Sequence, residues 1–187
     1  MLLWSVYFNQ TLIRDFLLAR LAADSVTLDI FEAAAVGNLP ELQSSLQADP
    51  DAVNSYSGDG WTPLHLASAF ATPAAVSALL AAHAPVHAVS RNPQQNQPLH
   101  AAVALSKDAV IIGHLLEHGA SPNAVQAGGF TPIFSAATAN RRDLAKLLLA
   151  HGADPHVKSD GGKTAAEFAL QRGHHEMAAW LESLPGA

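Results

Sequence analysis

The chain has 187 residues, 49% of them hydrophobic but only 6% aromatic; that Ala- and Leu-rich mix suits thin, closely stacked helices rather than a β-sandwich or barrel. A formal charge of −6, with no basic run longer than Arg141-Arg142, argues against a surface built for the phosphate backbone of nucleic acid. The complete absence of cysteine removes disulfides, thiolate metal sites and thiol nucleophiles.

Residues 1–27 are predicted to form an N-terminal amphipathic helix or extension. From Thr11 onward Leu12, Ile13, Phe16, Leu17 and Leu21 fall at helical spacing, while Arg14, Asp15 and Arg20 fall elsewhere. Such a helix either covers the end of the domain beyond it or lies against a membrane surface or a partner. The opening MLLWSVYF is too short to span a bilayer, and Asn9, Gln10, Arg14 and Asp15 interrupt any longer window. No basic start and no small-residue cleavage site mark a signal peptide. The expectation is a cytoplasmic protein, monomeric, with membrane attachment as the alternative.

Residues 28–58 read as a first helix pair. An inner helix covers 29–34, Gly37-Asn38 make the turn, and an outer helix covers 40–46, stopping before Asp49-Pro50. From there a frame repeats. It begins as Thr62-Pro63-Leu64-His65-Leu66-Ala67 and returns as Gln97-Pro98-Leu99-His100-Ala101-Ala102. It comes again as Thr131-Pro132-Ile133-Phe134-Ser135-Ala136 and as Thr164-Ala165-Ala166-Glu167-Phe168-Ala169. Starts at 62, 97, 131 and 164 are separated by 35, 34 and 33 residues. Where the frame carries them, Thr suits the helix N-cap and Pro fits the first helical position, where its missing N–H costs nothing. Leu and the small Ala turn inward. Second helices are predicted at 73–81, 109–117, 142–150 and 175–184, and the chain divides into segments 28–58, 59–91, 92–126, 127–159 and 160–187.

Glycines stand where a left-handed residue is needed. Gly119 and Gly152 follow outer helices, and the aligned residue in the second segment is His83. Gly37, Asn140 and Gly173 turn the chain between paired helices, and Asp59-Gly60, Gly128-Gly129 and Asp160-Gly161 mark the hairpins between segments. With Asn54, His87, Asn123 and His156 aligned, the distance to the next start is 8, 10, 8 and 8 residues. Hairpin 88–96 therefore holds two extra residues. A further extra residue lies near 105–108.

The recurring T-P-L-H-x-A frame resembles the ankyrin repeat, whose period is about 33 residues. That resemblance implies an all-α helix-turn-helix solenoid of about five repeats with short hairpin fingers, preceded by the N-terminal helix, and a degenerate first repeat acting as a cap. It also implies that His65 and His100 tie adjacent loops together by hydrogen bonds. The function implied is non-enzymatic binding of a protein partner through the concave face and the fingers, since insertions in solenoids favour the binding face. The alternative is a membrane-surface adaptor using the N-terminal helix.

Other chemistry finds little support. His83/His87 and His114/His118 have the i, i+4 spacing of metal ligands on one helix, but the H-E-x-x-H form is missing. Gly161-Gly162-Lys163-Thr164 matches the tail of a phosphate-binding loop, whose first glycine would fall on Val157. No G-x-S-x-G occurs. Neither a catalytic nor a metal site is assigned, and no cofactor. The candidate partner-binding residues are Trp61, Phe70, Arg91, Asn92, Gln94, Gln95, Phe130 and Lys163. Trp61 and Phe130 precede the helix caps, where their rings either form an apolar patch for a partner or pack on neighbouring fingers. Trp180, in the final helix, is expected to close the end of the core.

Overall fold

A computed structural model describes residues 27–185 apart from Lys107. The helix expected over residues 1–27, and with it the membrane-adaptor reading, lies outside the described residues but for Thr27. Among the described residues are ten α-helices. They are α1 (Ile30–Val36), α2 (Leu39–Ala48), α3 (Pro63–Phe70), α4 (Pro73–Ala81) and α5 (Pro98–Leu105), then α6 (Ala109–Glu117), α7 (Pro132–Thr138), α8 (Arg142–Ala150), α9 (Ala165–Gln171) and α10 (His175–Glu182). A 3-10 turn, Pro50–Asn54, comes after α2.

Local chemistry starts each inner helix. The Thr62 hydroxyl accepts from the His65 N–H at 3.4 Å, and Pro63 takes the first helical position. Asp29 with Glu32, and Thr164 with Glu167, form reciprocal capping boxes at α1 and α9. Two N-cap side chains are exceptions, Gln97 at α5, whose buried amide oxygen has no hydrogen-bond partner, and Thr131 at α7. Phe134 stands where a polar side chain would answer it, and the buried Thr131 hydroxyl has no hydrogen-bond partner.

The odd-numbered helices α1, α3, α5, α7 and α9 stack in order as an inner layer, and α2, α4, α6 and α8 stack behind them. Small residues permit this closeness: Ala33, Ala34, Ala67, Ala102, Ala136 and Ala145 are fully buried. Between the layers sit Leu42, Leu64, Leu79, Leu99, Ile111, Leu115, Ile133, Leu144 and Leu148, all without exposed surface. Each such side chain contributes roughly 1.5–3 kcal/mol of hydrophobic stabilisation. This core is continuous from α1 to α10, so the solenoid behaves as one packed body. At its end Trp180 is partly buried against the core, with the Arg142 guanidinium 4.5 Å over its ring.

Among the described residues four fingers project from the inner layer, each closed by a main-chain bond. The first, third and fourth close between residues four apart: Ser57 N–H to the Trp61 carbonyl, Gln126 to Phe130, and Ser159 to Lys163. The second closes from Ser90 to Asn96, six apart, which locates the two inserted residues. Neighbouring fingers are bonded to one another. Arg91 N–H donates to the Gly60 carbonyl at 2.8 Å, Ala127 to Gln94 at 3.0 Å, and Asp160 to Gly128 at 3.0 Å. A Cβ on Gly60 would sit 2.8 Å from the Arg91 carbonyl carbon, so this close approach requires glycine. At the fourth tip the left-handed residue is Gly162 (φ +75°) rather than Gly161. In the long finger that position is taken by Gln95, at φ +47°.

Candidate functional site

His65 and His100 are the first side chains whose position joins two repeats. The His65 Nδ1 lies 2.8 Å from the Thr62 hydroxyl and 3.3 Å from the Thr62 N–H, while Nε2 lies 3.0 Å from the carbonyl of Asn96 in the next finger. Only the tautomer protonated on Nε2 satisfies both ends, because Nδ1 must accept from the main chain. Burial pushes the imidazole down to about 4, outweighing the opposite pull of the Asn96 carbonyl. His100 repeats the arrangement, with Nδ1 accepting from the Gln97 N–H at 3.2 Å and Nε2 donating to the Ala124 carbonyl at 3.0 Å. Its pKa is likewise lowered by burial. Both rings are neutral ties that hold the fingers at fixed spacing.

Between those fingers and the inner helices lies a recess of about 480 Å³. Asp59 and Trp61 contribute from the first finger, Asn92, Gln94 and Asn96 from the second, and Gln126 from the third. The helical wall is His100, Ala101, Ala104 and Leu105 of α5, with Ser135 of α7. Ala101, Ala104 and Leu105 share one helix face through their i, i+3, i+4 spacing, and Leu105 is 48% exposed there. The recess therefore has an apolar floor and a polar rim, the anatomy of an interface. Its mouth is braced from within: the Asn92 amide donates to the Asp59 carbonyl at 3.2 Å, and its Oδ1 accepts from the Ser90 hydroxyl and the Gln94 N–H.

Of the residues singled out from the sequence, Trp61, Asn92 and Gln94 meet at this recess and the other five lie outside its lining. Trp61 is 8% exposed and stacks on Phe70, ring centroids 6.0 Å apart at an interplanar angle of 18°. Its ring is a wall of the recess rather than a projecting side chain. Phe130 is half-buried in an edge-to-face trio with Phe134 (5.3 Å) and Phe168 (5.4 Å). Arg91 is exposed, but its guanidinium lies 3.8 Å over the Tyr56 ring. Gln95 and Lys163 are exposed at their fingers. Asn96, Gln126, Ser135 and the α5 face carry no motif that marks them as binding residues. The i, i+3, i+4 small-apolar pattern of α5 is the one signal available for the last of these. Of the paired histidines, His114 Nδ1 meets the Ser77 hydroxyl at 3.0 Å and His118 Nδ1 meets the His114 carbonyl at 2.8 Å.

Comparison with known families agrees with this geometry. A model of ankyrin repeats in three copies matches residues 30–126, and one of ankyrin repeats in many copies matches residues 115–169. The chain belongs to the ankyrin repeat family. Over 84 residues, 45% of its length, this ankyrin protein is 38% identical to the transient receptor potential cation channel subfamily A member 1 homolog of Caenorhabditis elegans. It spans only 7% of that relative. Ankyrin repeats are generally protein-binding modules, and the recess lies where fingers and inner helices meet. None of the helices among the described residues is long and apolar enough to cross a membrane.

Proposed function

We propose that this ankyrin domain is a non-catalytic protein-binding module that grips its partner at the concave recess and the fingers around it, acting as a cytoplasmic monomer. The observation that carries this reading is the recess itself, part of whose rim comes from the second finger, two residues longer than the others. Its volume lies within the range of specific binding sites, which suits a few side chains of a protein. The left-handed Gln95 strengthens the reading. A non-glycine residue there costs about 1 kcal/mol, and such strain concentrates at binding sites. Arg91, Gln95, Phe130 and Lys163 extend the surface along the finger row.

The test is comparative capture from source lysate with quantitative mass spectrometry. Ala104→Trp fills the recess from an exposed position on α5, and Ala150→Trp makes the same change on the outer layer. A protein retained by wild type and Ala150→Trp but lost from Ala104→Trp identifies the partner and the face together. Equal capture by all three removes the concave face from consideration.

A further inference from the structure

The inner layer is covered unevenly along the face that lines the recess. In the repeat frame Leu66, Ala69 and Phe70 of α3 take the positions that Ala101, Ala104 and Leu105 of α5 take in the recess floor, and Trp61 takes that of Asn96. On α5 this face is open, with Ala104 exposed and Leu105 48% exposed. At the last repeat the matching Lys163, Gln171 and Arg172 are all exposed. On α3 it is closed: Leu66 and Ala69 are buried, Phe70 is half-buried, and Trp61 is 8% exposed. The first repeat continues the trend, with Leu28 and Ala33 buried at the matching positions. Among the described helices α1 and α5 flank α3 and α4 lies behind it, which accounts for its sides and back. The cover over its recess-side face comes from elsewhere, and it meets apolar groups.

We propose that the cover is the chain's own N-terminal segment, whose residues 11–21 dock as an amphipathic helix across α1 and α3 beside the recess. Leu12, Ile13, Phe16, Leu17 and Leu21 supply the apolar groups that this face requires. The reach is right. Packed helices lie about 8–10 Å apart, so α5 is about 20 Å from α1, and six extended residues, 22–27, span about 20 Å. An eleven-residue helix is about 16 Å long, enough to cross two inner helices. The segment joins the inner layer at Leu28, one frame position before the Asp29 cap and one repeat from Trp61. Its tether gives it an effective concentration in the millimolar range, an advantage that a second copy or another protein lacks. A flat bilayer is held off this face by the projecting fingers. A partner that takes the recess would have to displace the segment or bind beside it, a consequence that rests on the concave face being the binding face.

The experiment puts the photoreactive residue p-benzoylphenylalanine in place of Phe16, and separately of Leu17, in the full chain. Irradiation of dilute protein should give adducts within one chain, and mass-spectrometric mapping should find them on residues 61–70. Adducts confined to α1 and α2 would place the segment over the end of the stack and overturn the proposal. Adducts only between two chains, or none from either position, overturn it as well. A peptide of residues 9–24 supplies a second readout. It should bind full-length Phe16→Asp at least about tenfold more tightly than wild type, because the resident segment of that variant is weakened. Equal affinity for the two proteins overturns the docking. Should Phe16→Asp fail to fold, the adduct map decides alone. Lysate capture separates the two readings. If Ala104→Trp loses no protein, the concave-face reading falls while the adducts, and with them the docking, stand. If it does lose one, Phe16→Asp should capture several-fold more of that protein than wild type, and unchanged capture would overturn displacement by the partner.

Discussion

His83 ends α4 at φ +60°, where Gly119 and Gly152 end α6 and α8 at +91° and +88°. The closures are alike: the residue after each donates to the helix five residues back, Ala84 to Leu79, Ala120 to Leu115 and Ala153 to Leu148, all within 2.9–3.0 Å. A Cβ at Gly119 or Gly152 would meet nothing within 4 Å, so the cost of a side chain there is conformational alone. His83→Gly should raise stability by about 0.3–0.8 kcal/mol, the left-handed penalty less the entropy that glycine adds to the unfolded chain. Gly152→His should lower it by a similar amount. Denaturant midpoints at constant slope read both; two changes of the same sign would contradict the shared left-handed closure. The threonine caps make a second comparison. Thr62 is answered by His65, while the buried Thr131 hydroxyl is unanswered. Thr62→Val should therefore cost about 1–2 kcal/mol, and Thr131→Val should be neutral or stabilising, because it deletes an unsatisfied group. Equal losses in urea melts would show that the two hydroxyls do the same work.

Elements are held in register by bonds that run from finger to finger, and the long finger keeps this ladder despite its insertion. Its outer bonds use Arg91 N–H and the Gln94 carbonyl, so Asn92 and Pro93 bulge between them. Deleting Asn92 and Pro93 restores the four-residue closure of the other fingers while leaving both ladder groups in place. Loop length alone is a weak determinant of stability, and the deletion should change the denaturant midpoint by an amount equivalent to no more than about 1 kcal/mol. Partner affinity should fall by at least about tenfold, since Asn92 and the rim beside it leave the recess. Unchanged affinity, measured by titration calorimetry, would show that the insertion lies off the binding surface.

The whole molecule should be sensitive to mild acid, because its neutral histidines sit between repeats of one continuous core. His65 has a folded pKa of about 4 against an ordinary 6.5, and His100 is shifted the same way. Below pH 6.5 the unfolded chain binds protons that the folded chain refuses, so stability falls as pH drops from 6.5 toward 4. Above 6.5 neither state is protonated and the effect vanishes. For His65 the loss amounts to about 3 kcal/mol across the window. Asp143 and Glu167, lowered mainly by the Arg141 side chain and by the Thr164 N–H respectively, weaken the fold only at still lower pH. Urea denaturation at stepped pH should show this slope, and His65→Gln, whose amide still offers a donor to Asn96, should flatten it. A wild-type profile level between pH 4 and 6.5 would refute the neutral state of these rings.

The repeat frame, the helices and their ends were legible in the sequence because they are local. A Thr-Pro cap, a run of Leu and Ala, and a glycine or His83 at φ > 0 act within a few residues, and helices α4, α6 and α8 occupy the spans that such signals mark. The same is true of the insertion, which shows as a spacing of 10 against 8. The candidate face was only half legible. Which way Trp61 turns depends on Phe70 at the far end of α3, and where Arg91 lies depends on Tyr56 in another finger. The recess joins Asp59, Asn96, Leu105, Gln126 and Ser135, residues from three successive repeats. No short window of sequence contains such a set. Stacking alone brings residues one repeat apart into contact, so only the tertiary structure could decide that part of the site.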